Sequence, residues 1–105
     1  MATSPTQLTL RHMREQGYNC AIVEYWGAFD HKRHDLFGFI DVLCLRGEET
    51  VAIQTTSYSN VSARVKKATA SENLSWVREA GWTIHVHGWR KVGNRWVLGK
   101  CVDLS

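Results

Sequence analysis

The chain has 105 residues, which fits a single domain around one hydrophobic core. Hydrophobic residues make up 44% of it, and this fraction excludes an intrinsically disordered chain. The formal net charge is +3, a mild basic bias that is compatible with a nucleic-acid partner and does not by itself indicate one.

The predicted elements begin with a helix. Ser4 and Pro5 are typical of an N-cap and a first helical position, and Gly17 suits the residue that follows a helix. Apolar and β-branched segments then predict strands over residues 18–26, 35–45, 50–56, 82–89 and 95–102. Residues 61–80 predict one long helix, or two short helices with a break near Ser71.

These elements predict one domain over residues 1–105 of the α/β (α+β) class. We expect a mixed central sheet flanked by helices, in the order α-β-β-β-α-β-β. The first residues lack the basic segment and apolar core of a secretory signal, so we expect an intracellular, cytoplasmic protein. Three scattered cysteines, Cys20, Cys44 and Cys101, indicate neither a disulfide framework nor a zinc ribbon.

Asp41 stands out because it interrupts an apolar run, from Phe37 to Leu45, that predicts a strand covered on both faces. A buried ionised carboxylate is costly unless it is paired or binds a metal. The following strand carries Gln54 and Thr56 two residues apart, hence on one face. Together they predict a site in which Asp41 is a metal ligand or a general acid/base. The alternative is a structural Asp41 that pairs with an arginine or caps a backbone group.

Three segments resemble the PD-(D/E)XK nuclease fold: residues 35–41 (Asp-Leu-Phe-Gly-Phe-Ile-Asp), residues 53–57 (Ile-Gln-Thr-Thr-Ser) and residues 59–67 (Ser-Asn-Val-Ser-Ala-Arg-Val-Lys-Lys), the last with three basic side chains. The resemblance covers roughly residues 5–90. It is closest to archaeal Holliday-junction resolvases and small phage endonuclease-like proteins. It implies a restriction-endonuclease-like core, Mg²⁺ or Mn²⁺ as cofactor, hydrolysis of phosphodiester bonds in branched DNA, a homodimer, and a phage or prophage origin.

The resemblance also implies roles for particular residues. Asp41 takes the position of the metal-binding aspartate, Gln54 that of the second acid, and Thr56 that of the lysine that orients or activates the attacking water. Gln54 lacks a charge, which should weaken metal binding. Thr56 cannot supply a cation, so we expect Lys67 or Arg64 to supply it from the following helix.

Several further residues are candidates of lower rank. Glu24 and Asp35 are acids close to the predicted Asp41 strand. Gln7, or less plausibly Glu15, takes the place of the acid that such nucleases carry on the first helix. The basic residues expected to contact DNA phosphates are Lys32, Arg33, Arg64, Lys66, Arg90 and Lys91. The aromatic residues expected to stack on unpaired bases, or else to pack, are Tyr58, Trp89 and Trp96.

Other functions stay open at this point. Because two motif positions are altered, the chain can be a nucleic-acid-binding module on the same fold that has lost catalysis. A weaker alternative is an α/β protein without a nucleic-acid partner. A zinc site can be drawn from His85 and His87 together with His31 and His34, but nothing in their spacing brings the four together. For the His85–His87 pair we favour an exposed strand face.

Overall fold

The computed structural model describes residues 3–105, so the first two residues of the predicted domain lie outside it. Within this range the helices are α1 (Pro5–Glu15), α2 (Val61–Thr69) and α3 (Leu74–Glu79). The strands are β1 (Asn19–Ile22), β2 (Tyr25–Trp26), β3 (Arg33–His34), β4 (Val42–Arg46), β5 (Glu49–Ser57), β6 (Thr83–Val92) and β7 (Arg95–Asp103). None of these helices combines the length and the apolar composition that a membrane crossing needs.

The central sheet has five strands in the order β1-β4-β5-β6-β7, and β2 pairs with β3 in a separate hairpin. β5 and β6 run parallel, whereas the other neighbouring strands are antiparallel. A parallel pair needs a crossover connection, which α2 and α3 supply. The predicted α/β (α+β) class, with a mixed sheet flanked by helices, is confirmed.

Side chains alternate along β5 and divide the core into two layers. Val51 and Ile53 join Leu10 and Met13 of α1 in one buried cluster. Ala52 lies on the other face, in a cluster with residues of α2, α3 and β6: Val61, Ala68, Leu74, Val77, Ile84 and Val86. Gln54 follows Ala52 by two residues, so it lies on the face that α2 and α3 cover.

Several predicted boundaries are confirmed by the local structure. The Ser4 hydroxyl accepts from the Gln7 N–H at 3.2 Å and caps α1, and Gly17 follows that helix with φ of +91°. Ser71 lies in the break between α2 and α3, where its hydroxyl accepts from the Asn73 N–H at 3.2 Å. A turn at residues 93–94 joins β6 to β7, and β6 runs three residues beyond the predicted end at residue 89.

The predicted strand over residues 35–45 is wrong in its first half. Residues 36–40 form a turn because Phe37 and Gly38 have φ of +54° and +85°, which a strand does not allow. Asp41 therefore precedes β4 instead of lying in the middle of a strand. The predicted strand over residues 18–26 divides into β1 and β2, and β3 lies between the predicted strands 18–26 and 35–45, where no strand was expected. The actual order thus contains an added hairpin and a divided second helix.

Candidate functional site

Backbone hydrogen bonds bring three segments of the chain together at Asp41. Its N–H donates to the Ile53 carbonyl of β5 at 2.9 Å, and its carbonyl accepts from the Val23 N–H at 2.8 Å. Val23 directly follows β1. Asp41 therefore lies between the end of β1 and the middle of β5, and Glu24 is brought to the same place.

The Asp41 carboxylate is buried and held by β5. The residue is 4% exposed. Its Oδ2 accepts from Gln54 Nε2 at 2.9 Å, from the Thr55 N–H at 2.8 Å and from the Thr55 hydroxyl at 3.4 Å. The register that pairs Val42 with Ile53 places Asp41 and Gln54 opposite each other on one face. All these bonds end on Oδ2, and the Asp41 carboxylate also contacts the Asp35 carboxyl group.

Two further carboxylates converge on Asp41. One oxygen each of Glu24, Asp35 and Asp41 lie within 4.8 Å of one another. Burial raises the pKa of Asp41 to about 7, the nearby Asp35 and Glu24 carboxylates add to this rise, and the Thr55 backbone N–H opposes it. Without a cation, the cluster therefore contains an acid that gains and loses its proton near neutral pH.

Positive charge reaches this acidic cluster from α2 and from β3. Arg64 and Lys67 lie three positions apart on α2, which places them on one face of the helix. Lys67 Nζ is 2.6 Å from Asp35 Oδ2, and the Asp35 side chain is only 8% exposed. Arg33 Nη1 is 4.0 Å from Glu24 Oε2. Lys67 of the second helix thus contacts one of the three acids, Asp35.

These groups line one cavity of about 580 Å³, called the acidic cavity below. Its lining residues are Ser4, Pro5, Thr6, Gln7, Ile22, Glu24, Arg33, Asp35, Asp41, Gln54, Thr55, Thr56, Ser57, Asn60, Arg64 and Lys67. Gln54 Oε1 is buried and has no hydrogen-bond partner among the described residues. An unpartnered buried acceptor costs about 1–3 kcal/mol, and a cation in the cavity would remove that cost. Carboxylate and amide oxygens are the ligands that Mg²⁺ and Mn²⁺ prefer, so the residues present fit such an ion.

Other candidate residues are divided between the acidic cavity and the surface outside it. Thr56 is buried in the cavity wall and offers a hydroxyl without a charge. Gln7 of α1 also lines the cavity, whereas Glu15 lies in a separate groove beside α1. Lys32 and Lys66 are exposed and are not part of the cavity lining.

A second groove, of about 450 Å³, adjoins the acidic cavity through Ser57, which lines both. The residues of this β6 groove are Ser57, Tyr58, Ser59, Trp89, Arg90, Lys91 and Trp96. The Arg90 guanidinium is 5.1 Å from the centre of the Tyr58 ring, and Lys91 Nζ is 5.9 Å from that of Trp96. Both rings are about two-fifths exposed, at 42% and 40%, so each presents surface beside a cation.

Of the two roles expected for Trp89, stacking on bases or packing, the structure shows packing. Trp89 is 6% exposed, and its Nε1–H donates to the buried Thr9 hydroxyl of α1 at 2.9 Å. An indole held in this way belongs to the core between α1 and β6. Of the three predicted stacking residues, only Tyr58 and Trp96 present exposed rings.

The expectation of an exposed strand face at His85 and His87 is wrong for His87, which is 2% exposed. His87 Nδ1 lies 3.2 Å from Thr9 Oγ1. Burial, helped by two neighbouring imidazoles, lowers the pKa of His87 to about 3, so the ring is neutral at neutral pH. His31 and His34 lie in the β2–β3 segment and do not join this pair, which instead meets Cys101.

Sequence reasoning missed Thr55, whose backbone and hydroxyl both hold Asp41. The Thr55 hydroxyl also lies 3.0 Å from that of Thr6, which ties α1 to the same point. The alternation of side chains along the strand predicts that Gln54 and Thr56 lie on one face. It does not predict that the Thr55 backbone N–H between them donates to Asp41. No local signal identifies this contact, because it depends on the β4–β5 register.

A scan against protein-family models and searches of curated proteins and of solved structures found no match to the chain. The resemblance to PD-(D/E)XK nucleases therefore stays a prediction, and function has to be inferred from the geometry and charge of the site.

The substitution Asp41→Asn is expected to stabilise the metal-free protein at alkaline pH. In the folded protein the pKa of Asp41 is about 7, above its ordinary value of 3.8. The wild type therefore loses stability as the pH rises through 7, whereas asparagine has no proton to lose. At pH 8 the free energy of unfolding should be roughly 2–4 kcal/mol higher for the variant, and the difference should shrink as the pH falls to 4. Urea unfolding in EDTA measures it.

Glu48→Gln is the control, since Glu48 is exposed in the β4–β5 turn and should leave the pH dependence unchanged. A difference between Asp41→Asn and the wild type that stays constant from pH 4 to pH 8 would contradict the raised pKa.

Proposed function

We propose that the chain is a divalent-metal-dependent DNA endonuclease that hydrolyses phosphodiester bonds, structure-selective in the manner of Holliday-junction resolvases. The observation that carries the proposal is the convergence of Glu24, Asp35 and Asp41 beside Lys67 in the acidic cavity. Clustered carboxylates disfavour one another's ionised form unless a cation is present. Such arrangements are concentrated at functional sites.

The three carboxylates would hold Mg²⁺ or Mn²⁺, with the Gln54 amide oxygen as a neutral donor. A metal bound there polarises the scissile phosphate and lowers the pKa of a coordinated water. The missing charge at Gln54 is offset by Glu24 and Asp35, whose oxygens lie within 4.8 Å of an Asp41 oxygen. Gln54 in place of an acid is therefore not expected to weaken metal binding at a site that also contains Glu24 and Asp35.

Lys67 supplies the cation that Thr56 lacks. Its contact with Asp35 positions the ammonium at the cavity, while its side chain remains 41% exposed and can reach a substrate. An ammonium at this place orients the attacking water and stabilises the charge that develops on the phosphate. Arg64, on the same face of α2, can contact a neighbouring phosphate oxygen.

The basic and aromatic surroundings of the acidic cavity support a nucleic-acid substrate. Arg33 and Arg64 line the cavity itself. The adjoining β6 groove adds Arg90 and Lys91 beside exposed aromatic rings. Cations bind phosphates whatever the sequence, and aromatic rings stack on bases that are not paired. This combination favours DNA with a branch or a single-stranded end over continuous duplex.

The alternative is a nucleic-acid-binding module that has lost catalysis. Gln54 and Thr56 favour it, because each lacks a charge that the resembled nucleases use. This alternative predicts DNA binding, and even metal binding, without cleavage. The homodimer stays a prediction under either function.

Lys67→Met is expected to separate metal binding from catalysis. Mn²⁺ affinity, measured by isothermal titration calorimetry, should not weaken, because the substitution frees the Asp35 carboxylate. Cleavage of a four-way DNA junction should fall by about 10²-fold or more, since the cation at the phosphate is lost. Lys66→Met is the matched control: Lys66 lies on the same helix but outside the acidic cavity, so the loss of a phosphate contact there should leave the cleavage rate at saturating DNA at the wild-type value.

Asp41→Asn should lose both Mn²⁺ binding and cleavage in the same assays. Mn²⁺ binding by the wild type without cleavage of branched or linear DNA would favour the inactive module. Cleavage that survives Asp41→Asn would rule out the acidic cavity as the active site.

The cavity arginines are expected to set part of the salt dependence of DNA binding. Arg33→Gln and Arg64→Gln should each reduce the slope of log K against log salt by about 1, because each removes one phosphate contact. Fluorescence anisotropy with a labelled junction in EDTA, at several salt concentrations, measures the slope. Arg11→Gln is the control on the outer side of α1, and an equal effect there would contradict the assigned DNA path.

A further inference from the structure

A second set of metal-binding side chains lies on the face of the sheet that α1 covers. One ligand atom each of His85, His87 and Cys101 lie within 4.8 Å of one another. β6 supplies both histidines, and β7 supplies the cysteine directly opposite His87. His87 contacts Thr9 of α1, whereas Gln54 lies on the face covered by α2 and α3, so the sheet separates the two sets.

One extra residue in β7 creates this arrangement. If the register that begins at the turn, with Val92 opposite Arg95, continued along both strands without a shift, Lys100 would lie opposite His87. The register shifts at Gly88, which pairs with Lys100, so that Gly99 is the added residue and Cys101 faces His87. A shift of one residue moves every following side chain to the other face of a strand. The bulge therefore brings the thiol onto the histidine face.

The contact with Thr9 orients the His87 ring. Thr9 Oγ1 lies 3.2 Å from His87 Nδ1 and also accepts from Trp89 Nε1–H at 2.9 Å. Metal-ligating histidines usually donate one ring N–H to an acceptor of this kind, which leaves the other nitrogen for the metal. Because Thr9 occupies Nδ1, a metal would take His87 Nε2, and the ring proton would then lie on Nδ1 and be donated to Thr9 Oγ1. His85 is half-buried and Cys101 is exposed, so an ion can reach the set from solvent.

We propose that His85, His87 and Cys101 bind Zn²⁺, with the fourth coordination position open to water. Two imidazoles and a thiolate are donors that select zinc and related transition metals over Mg²⁺. Three protein ligands with an open fourth position are typical of zinc sites that keep an exchangeable ligand. Asp103 lies opposite His85 in the register and adds negative charge beside the ion. The zinc site stands independently of the proposed nuclease function.

Co²⁺ tests the site, because cobalt replaces zinc and gives a thiolate-to-metal absorption band that zinc lacks. The purified full chain should bind one equivalent of Co²⁺ with this band, and one equivalent of Zn²⁺ should abolish it. Cys101→Ser should lose the band, and His85→Ala should weaken Co²⁺ binding by about tenfold or more. Circular dichroism checks that each variant is folded.

Three controls distinguish this site from the rest of the chain. Cys20→Ala removes a thiol from the buried Cys20–Cys44 pair, whose sulfurs lie 2.9 Å apart, and should keep the band. His31→Ala, in the β2–β3 segment, should keep the wild-type affinity. Asp41→Asn should also keep the band, because it alters only the acidic cavity. A band that persists in Cys101→Ser, disappears in Cys20→Ala, or never forms in the wild type would overturn the proposal.

Discussion

The hydrogen bonds between the buried Asp41 carboxylate and β5 are the contact on which the site depends. They fix one carboxylate oxygen against Gln54 and Thr55, while the Asp41 backbone bonds to Val23 and Ile53. These contacts hold the end of β1 beside the middle of β5. Burial raises the pKa of Asp41 to about 7, so the folded protein disfavours the ionised form of this carboxyl group. A divalent cation would remove that conflict, and this is the physical basis of the proposed metal site.

Much of the scaffold could be predicted from local sequence. The capped start of α1, the break at Ser71 and the turn at residues 93–94 follow from residues whose backbone preferences are strong. The two-residue period of β5 correctly places Gln54 and Thr56 on one face. The cation from α2 was also foreseeable, because a helix that directly follows β5 has to return across the same face of the sheet.

The remaining features depend on contacts that local patterns do not encode. Phe37 takes a positive φ that bulky residues seldom adopt, so the apolar run before Asp41 predicted a strand where a turn forms. Asp35 lies between the β2–β3 hairpin and that turn, and its carboxylate meets those of Glu24 and Asp41. A residue that the sequence ranked as a secondary candidate is therefore one of the three acids of the site. Cys101 meets His87 only because of a bulge, and a single bulge cannot be placed from one sequence.

The most direct test is anomalous diffraction from crystals soaked in Mn²⁺. Occupation of the acidic cavity predicts a manganese peak within bonding distance of carboxylate oxygens from Glu24, Asp35 and Asp41, with Lys67 beside it. A cavity without a peak at saturating Mn²⁺, with Asp41 still bonded only to Gln54 and Thr55, would contradict a metal-dependent site.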